Sequence, residues 1–170
     1  MIVAVDQDNA IGHSDGRLPW RSAHDMKRFK DLTTGGTVVM GRKTWDSLPP
    51  KFRPLPNRTN LVVTRRSAID GLPGGGLTRL ERAPADAWII GGAQVYNQAL
   101  EQGLATELYV TQVHVSSGAD VRLAHDLYNW KLFAVSELAR NRAWRLDDIQ
   151  VPTVPATDPG ITFLKLVRVQ

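Results

Sequence analysis

Three short apolar runs in this chain, TVVM (37–40), NLVV (60–63) and AWII (87–90), stop abruptly at a glycine or a polar, basic stretch. Each is of strand length and mostly apolar, as strands buried inside a sheet are. The first and third run directly into helical patterns, KTWDSL and AQVYNQALEQG, the latter closed by Gly103. Strand then helix, repeated, restricts the chain to an α/β sheet whose early part is parallel. MIVAV reads as a further buried strand and DQDNAIGHSDGRLP as the loop after it. SAHDMKRFKDLT reads as a helix with Ser22 as its N-cap and Met26, Phe29 and Leu32 on one face. PPKFRPLPNR and IDGLPGGG read as loops, ELYVTQVHV as a strand and VRLAHDLYNW as irregular. Two C-terminal segments, WKLFAVSELAR and ITFLKLVRV, read as antiparallel strands flanking the loop DDIQVPTVPATDPG. The fold class expected is therefore α/β, mostly parallel with an antiparallel C-terminal edge.

The length, 170 residues, suits one domain with a sizeable core. A content of 42% hydrophobic and 22% charged residues argues against disorder. No apolar run approaches the roughly 20 residues of a membrane span, and MIVAVDQDNAIG, broken by Asp6 and Asp8, is not expected to be a secretion signal. The absence of cysteine rules out disulfides, zinc–thiolate sites and cysteine nucleophiles and suits a cytoplasmic protein. The formal charge of +4 admits nucleic acid or a small polyanion as partner.

The strand ends carry the chemistry. In VVMGRKTWDSLP, a strand end meets a helix start, where main-chain N–H groups and the helix dipole favour an anion. Arg42 and Lys43 add charge there and Thr44 a hydroxyl donor. WIIGGAQVY puts Gly91 and Gly92 at a second such junction, where glycine lets the backbone approach a ligand closely. VVTRR puts Arg65 and Arg66 just past a third strand end. Three such junctions in one sheet fit one extended polyphosphate, and arginines without an acidic neighbour favour a 2′-phosphate over a ribose hydroxyl, hence NADPH over NADH. Alone, the first junction is also an ordinary basic turn and the second an ordinary tight turn. Asp25, four residues before Phe29, falls at the edge of an apolar helix face. A half-buried carboxylate suits a ligand with protonatable nitrogens, although a helix Asp is more often simply solvated. Arg58, in the stiff RPLPNR loop, suits a carboxylate partner or plain solvent. Trp20 either lines a cleft or packs on the core. His24 is expected on the surface, and His13, His114 and His125 lack metal-ligand spacing.

Taken in order, AIG, LPW, Asp25 with Phe29, VVMGRKTWDSLP, RPLPNRTN, VVTRR, IIGGAQVY and LYVTQV resemble the dihydrofolate reductases over roughly residues 1–125. MGRxTWxS together with RPLPxRxN is highly specific. The resemblance implies a single three-layer domain over 1–170, helices on both sheet faces, with an adenosine-binding lobe at about 36–85. It implies NADPH-dependent reduction of 7,8-dihydrofolate to tetrahydrofolate, supporting one-carbon metabolism and thymidylate synthesis, in a monomer that takes antifolates but neither nucleic acid nor membrane. By the same resemblance Gly41, Arg42, Lys43 and Thr44 hold the cofactor's phosphates, with Thr64, Arg65 and Arg66 near its 2′-phosphate. Gly91 and Gly92, often joined by a cis bond in the family, with Ala93, Gln94 and Val95, lie along the pyrophosphate. Residues 8–21 form a mobile loop over the nicotinamide, with Ala10, Ile11 and Leu18 touching it and Trp20 holding a water. Asp25 polarises the pterin with Thr111 in its network. Ile2, Ala4, Met26, Phe29, Leu48, Leu55, Ile90 and Tyr96 wall the pterin and benzoyl rings, Ser47 sits at the rim, and Arg58 clamps the glutamate tail.

Four departures stand out: Arg21, Ser22 and Ala23 replace the family's usual leucine and proline after LPW, with Ser22 expected to loosen the loop. Ala93 stands where a third glycine is frequent, HSDGR is about one residue longer than in the shortest members, and 141–160 has no counterpart. A pyrimidine reductase of riboflavin synthesis on the same fold fits less well, because its ribityl phosphate substrate does not call for a lone carboxylate with a carboxylate clamp. A nucleic-acid-binding module would place its cations along one helix or groove. A structural protein that merely keeps the fold would not need Asp25, Thr44 and Arg58.

Overall fold

The computed structural model describes residues 1–66, 69–72 and 76–169, so 73–75 of the expected loop over 69–76 lie outside the described residues. In chain order the elements are β1 (Ile2–Asp6), β2 (Ala10–Gly12), α1 (Ala23–Thr33), β3 (Thr37–Gly41), α2 (Arg42–Ser47), β4 (Thr59–Val63), β5 (Trp88–Gly91) and α3 (Ala93–Glu101). There follow β6 (Glu107–Val113), β7 (Val121–Arg122), α4 (Trp130–Leu138), β8 (Ala143–Gln150) and β9 (Ile161–Val169). Contacts divide the chain into two units, Met1–Lys27 with Ala105–Gln170, and Arg28–Leu104.

In the first unit the sheet order is β1-β6-β9-β8. β1 runs parallel to β6, with Ala4 opposite Thr111, and β9 and β8 add the antiparallel edge that the C-terminal pattern predicts. Val3, Val5, Leu108, Val110, Leu164 and Leu166 are all buried, the burial that drives this sheet together. A short ribbon pairs β2 with β7, within segments expected to be loop and irregular.

One expectation fails here. WKLFAVSELAR is not a strand: its first nine residues form α4, which packs on β8. Asn129 caps it, its side chain accepting from the Leu132 N–H at 3.3 Å. The pattern misleads because the buried pair on α4 is Phe133 and Glu137, while Leu132, Val135 and Leu138 face outward. Buried Glu137 is met by the guanidiniums of Arg140 and Arg142, each at 3.4 Å. The antiparallel partner of β9 is instead AWRLDDIQ, part of which was expected to be loop.

The second unit holds a parallel sheet of order β4-β3-β5. Its core gathers Val38, Met40, Trp45, Leu55, Val62, Ile69 and Leu72, with Phe29, Leu48, Trp88 and Ile90 packed against it. α3 lies along β5 and β3, and α2 lies by β3 and β4. Gly41 pairs with Val63 and Met40 with Gly91. The carboxyl ends of all three strands therefore finish side by side.

At the end of β1, Asp6 is fully buried. Burial pushes its carboxyl up, but hydrogen bonds from the Ser117 hydroxyl and the N–H groups of Ala10, Ser117 and Asp8 outweigh this and hold it below the usual carboxylate range. A carboxyl lowered on folding stabilises above its unfolded value of about 3.9, and that contribution fades as pH falls toward the folded value. Asp6→Asn is therefore expected to melt lower than the parent at neutral pH and to lose less on acidification. Parallel melting-temperature curves for the two proteins from neutral pH downward would contradict this.

Candidate functional site

Within the first unit, α1 opens on Ser22, whose hydroxyl oxygen accepts from the Asp25 N–H at 3.2 Å. Ser22 is buried and caps the helix, as its place before the helical pattern predicts. The cap sets Asp25 one turn inside the helix, half-buried, where the Thr111 hydroxyl donates to Oδ1 at 2.7 Å. Thr111 is itself buried on β6. The two residues, 86 apart in sequence, are thus one hydrogen-bonded pair, as the resemblance implies. A carboxylate accepting a hydroxyl hydrogen bond is oriented by it and keeps lone pairs for a ligand's N–H groups.

Trp20 and Ala4 pack against a cluster of Val113, Ile161 and Phe163, together with Val115 and Val154. Trp20 is therefore anchored on the core at one side, the plainer of its two readings. Ile2 is buried on β1, whereas Met26 and Leu18 are exposed at 53% and 63%, apolar surface that an aromatic ligand could cover. His24 is half-buried and not on the surface as expected; its Nδ1 has no partner among the described residues. The loop carrying Ala10, Ile11 and Leu18 is tied at Ser14, whose N–H donates to Asp120 Oδ1 at 3.0 Å, with His13 3.6 Å from the same oxygen.

Within the second unit, the first two junctions of the sequence pattern touch. A Cβ on Gly41 would lie 3.1 Å from Val95 Cγ2 and 3.8 Å from the Gly91 carbonyl. A Cβ on Gly92 would lie 3.1 Å from Thr44 Oγ1. A side chain at either position would press on Val95 or Thr44. Gly91 adopts φ +121°, and its peptide bond to Gly92 is cis, the bond often found in the family. α2 and α3 start from Gly41 and Gly92 with no side-chain cap, and Ala93 and Gln94 form the first turn of α3. Val95 is buried against Gly41, so only its main chain can face a ligand. Tyr96 is buried with its ring over Gly91.

The cations spread around this surface. Arg42 is held by Asp46 through Nε at 2.8 Å, and Lys43 is exposed. The third junction follows β4, where the Arg66 N–H donates to Thr64 Oγ1 at 3.2 Å and both Arg65 and Arg66 are exposed. Ser47 is exposed and donates to the Thr44 carbonyl at 2.8 Å.

Phe29, Leu48, Leu55 and Ile90 come together on the core cluster of this unit. Beside them Arg58 donates through Nε to Thr33 Oγ1 at 2.9 Å and through Nη1 to the Pro56 carbonyl at 2.9 Å, and it lies over the Phe29 ring. Burial pulls its guanidinium pKa down, yet arginine stays charged at any working pH. Two residues that aim it escaped the sequence reading. Thr33, fully buried, accepts from Arg58 while donating to the Phe29 carbonyl at 2.7 Å. Asn60 donates to the Leu55 and Arg58 carbonyls and accepts from the Leu55 N–H. The signal was present in RPLPNRTN, where a polar residue opens a buried strand.

A family model described as dihydrofolate reductase matches residues 1–149. A dihydrofolate reductase of Mycobacterium leprae (strain TN) is 45% identical over 122 residues, covering 66% of this chain and 70% of that protein. One from Candida albicans is 32% identical over 159 residues and covers 82% of each chain. A solved dihydrofolate reductase from Enterococcus faecalis, complexed with NADP(H) and RAB-propyl, aligns at a TM-score of 0.78 over 99% of this chain and 95% of that one. At 24% identity that likeness shows a shared fold.

Proposed function

The chain belongs to the dihydrofolate reductase family, and we propose that Asp25 with Thr111 polarises the substrate while the strand-end glycines and cations hold the cofactor. The reaction is the NADPH-dependent reduction of 7,8-dihydrofolate to 5,6,7,8-tetrahydrofolate, which serves one-carbon metabolism and thymidylate synthesis. The observation that carries the assignment of roles is the 2.7 Å bond from the Thr111 hydroxyl to Asp25.

NADPH supplies a hydride for C6 of the pterin. The residues of the chain prepare the acceptor. Asp25 accepts hydrogen bonds from the pterin's amino group and ring N–H, which raises the basicity of the ring and favours a proton at N5. Carboxylates do not reach N5 from that edge, so the proton arrives through water held beside Trp20. In the second unit Phe29, Leu48, Leu55, Ile90 and Tyr96 are the apolar side chains offered to the rings, with Ser47 at their rim; in the first unit Ile2, Ala4 and Met26 are. Arg58 takes the α-carboxylate of the glutamate tail.

Gly41 and Gly92, whose added Cβ atoms would press on Val95 and Thr44, together with Gly91 and Thr44, suit a pyrophosphate against the main chain, with Arg42 and Lys43 supplying charge and Ala93, Gln94 and Val95 main-chain N–H groups. Thr64, Arg65 and Arg66 read the 2′-phosphate, and Ala10, Ile11 and Leu18 meet the nicotinamide. Residues 36–85 form the adenosine-binding lobe of a single catalytic domain over 1–170. No helix among the described residues is long and apolar enough to cross a membrane. Separately, our reading makes the protein a cytoplasmic monomer that binds antifolates and neither membrane nor nucleic acid.

Loss of NADPH absorbance on mixing with dihydrofolate, abolished by methotrexate, tests the reaction. No loss, with NADPH still protecting the protein from heat, would point to another substrate. Arg65→Ala is expected to lower kcat/KM with NADPH by about tenfold, the worth of one charge-assisted contact, and to leave that with NADH unchanged. An equal fall with both cofactors would show that Arg65 does not read the 2′-phosphate.

A further inference from the structure

The loop over 8–21 begins with a strand too short to hold its own place. β2 has three residues and β7 two, and their pairing shifts between Ala10 and Gly12. A ladder this short specifies register weakly, and a slip of one residue turns every side chain to the other face. Yet Ala10 is fully buried and Ile11 half-buried, so one register is chosen.

Asn9 makes that choice. Its side-chain amide donates to the carbonyls of Leu123, at 3.2 Å, and His125, at 2.7 Å. Its side-chain carbonyl accepts from the N–H groups of Leu127, at 3.0 Å, and Tyr128, at 3.4 Å. The Leu123 N–H donates to its main-chain carbonyl at 3.2 Å. Asn9 sits at φ 58°, a left-handed conformation that Asn tolerates better than most side chains. Asp6 binds Ser117 on the other side of β7, so the ribbon partner is bracketed from both ends. Only an amide offers donors to two carbonyls and an acceptor to two N–H groups at once.

We propose that Asn9 is a positioning residue, fixing the register of β2 and hence which faces of Ala10 and Ile11 are presented to the nicotinamide. The functional half of this rests on the reductase reading above. Asn9→Asp keeps the shape and the acceptor but sets a carboxylate against two carbonyls. With Asp8 beside it and Asp126 on the facing segment, the introduced carboxyl takes up a proton on mild acidification and regains a donor. Asn9→Gly keeps the backbone conformation and removes the amide altogether.

The test is hydrogen exchange of the peptide spanning 8–21 in the full chain without ligand, corrected for intrinsic rates, together with single-turnover hydride transfer. Asn9→Gly is expected to lose protection about tenfold at every pH. Asn9→Asp should lose it at neutral pH and recover it on acidification. Both should slow hydride transfer about tenfold at neutral pH, with the affinity for 2′,5′-ADP unchanged. Unaltered exchange in both variants, or altered exchange with an unaltered hydride step, overturns the proposal. A parent protein that leaves NADPH unconsumed overturns the reductase reading instead, and the exchange data still decide whether Asn9 sets the register.

Discussion

Asp25→Asn is expected to lower turnover at neutral pH by about 10²-fold or more, the range of a well-placed acid–base group, while leaving the fold and NADPH binding intact. The amide that replaces the carboxylate can still accept from the Thr111 hydroxyl, so the bond that ties α1 to β6 survives. Its NH₂ group, however, confronts donors on the pterin, and the negative charge that favours the protonated ring is gone. The deficit should shrink as pH falls, because solution protons then do what the carboxylate no longer does. Stopped-flow turnover between mildly acidic and neutral pH decides the matter. A variant within about threefold of the parent at neutral pH would remove Asp25 from the mechanism.

Arg58→Leu should show the opposite kinetic signature. A bidentate guanidinium–carboxylate pair in a partly buried place is worth about 2–3 kcal/mol, so removing the guanidinium should raise KM for dihydrofolate by roughly 10². Because that pair is the same in ground and transition states, kcat should hold. Leucine still covers the Phe29 ring, and Thr33 keeps its bond to the Phe29 carbonyl, so the local structure has little reason to move. A pteridine without the glutamate tail is the internal control, expected to bind parent and variant alike. If its KM rises too, Arg58 shapes the ring site and not the tail site.

What could be read from the chain depended on whether the cause was local. VVMGRKTW and IIGGAQVY announce themselves because a strand ending at glycine before a helix is a local event, and the side-by-side strand ends appear as expected. Asp25 was legible from its place beside an apolar helix face, but its partner Thr111 was named only through resemblance, since no pattern connects residues 86 apart. Thr33 and Asn9 were missed for a related reason: Thr33 meets the Arg58 guanidinium and Asn9 the main chain of a distant segment, pairings that composition does not mark. Asn60, the last residue of RPLPxRxN, was quoted without a role although its partners Leu55 and Arg58 lie in the same motif. α4 was misread because helical spacing in WKLFAVSEL is masked by apolar residues that stay exposed, Val135 at 64% among them, while a glutamate is buried. β8 was lost because five of its eight residues are exposed, so it carries little alternation.

The division of the chain also bears on the order in which it can be built. Arg28–Leu104 is one continuous stretch, and its three strands find their partners among residues already made. β1 must wait for β6, with Ile2 opposite Tyr109, so its pairing is among the last to be satisfied. Loop closure over such a span is slow compared with local pairing. Refolding followed by pulsed hydrogen exchange should protect the amides of β3 and β5 before those of β1; simultaneous protection would mean that the two parts condense in a single step. During synthesis the apolar MIVAV strand would stay unpaired until β6 is made, which makes it a segment in need of shelter.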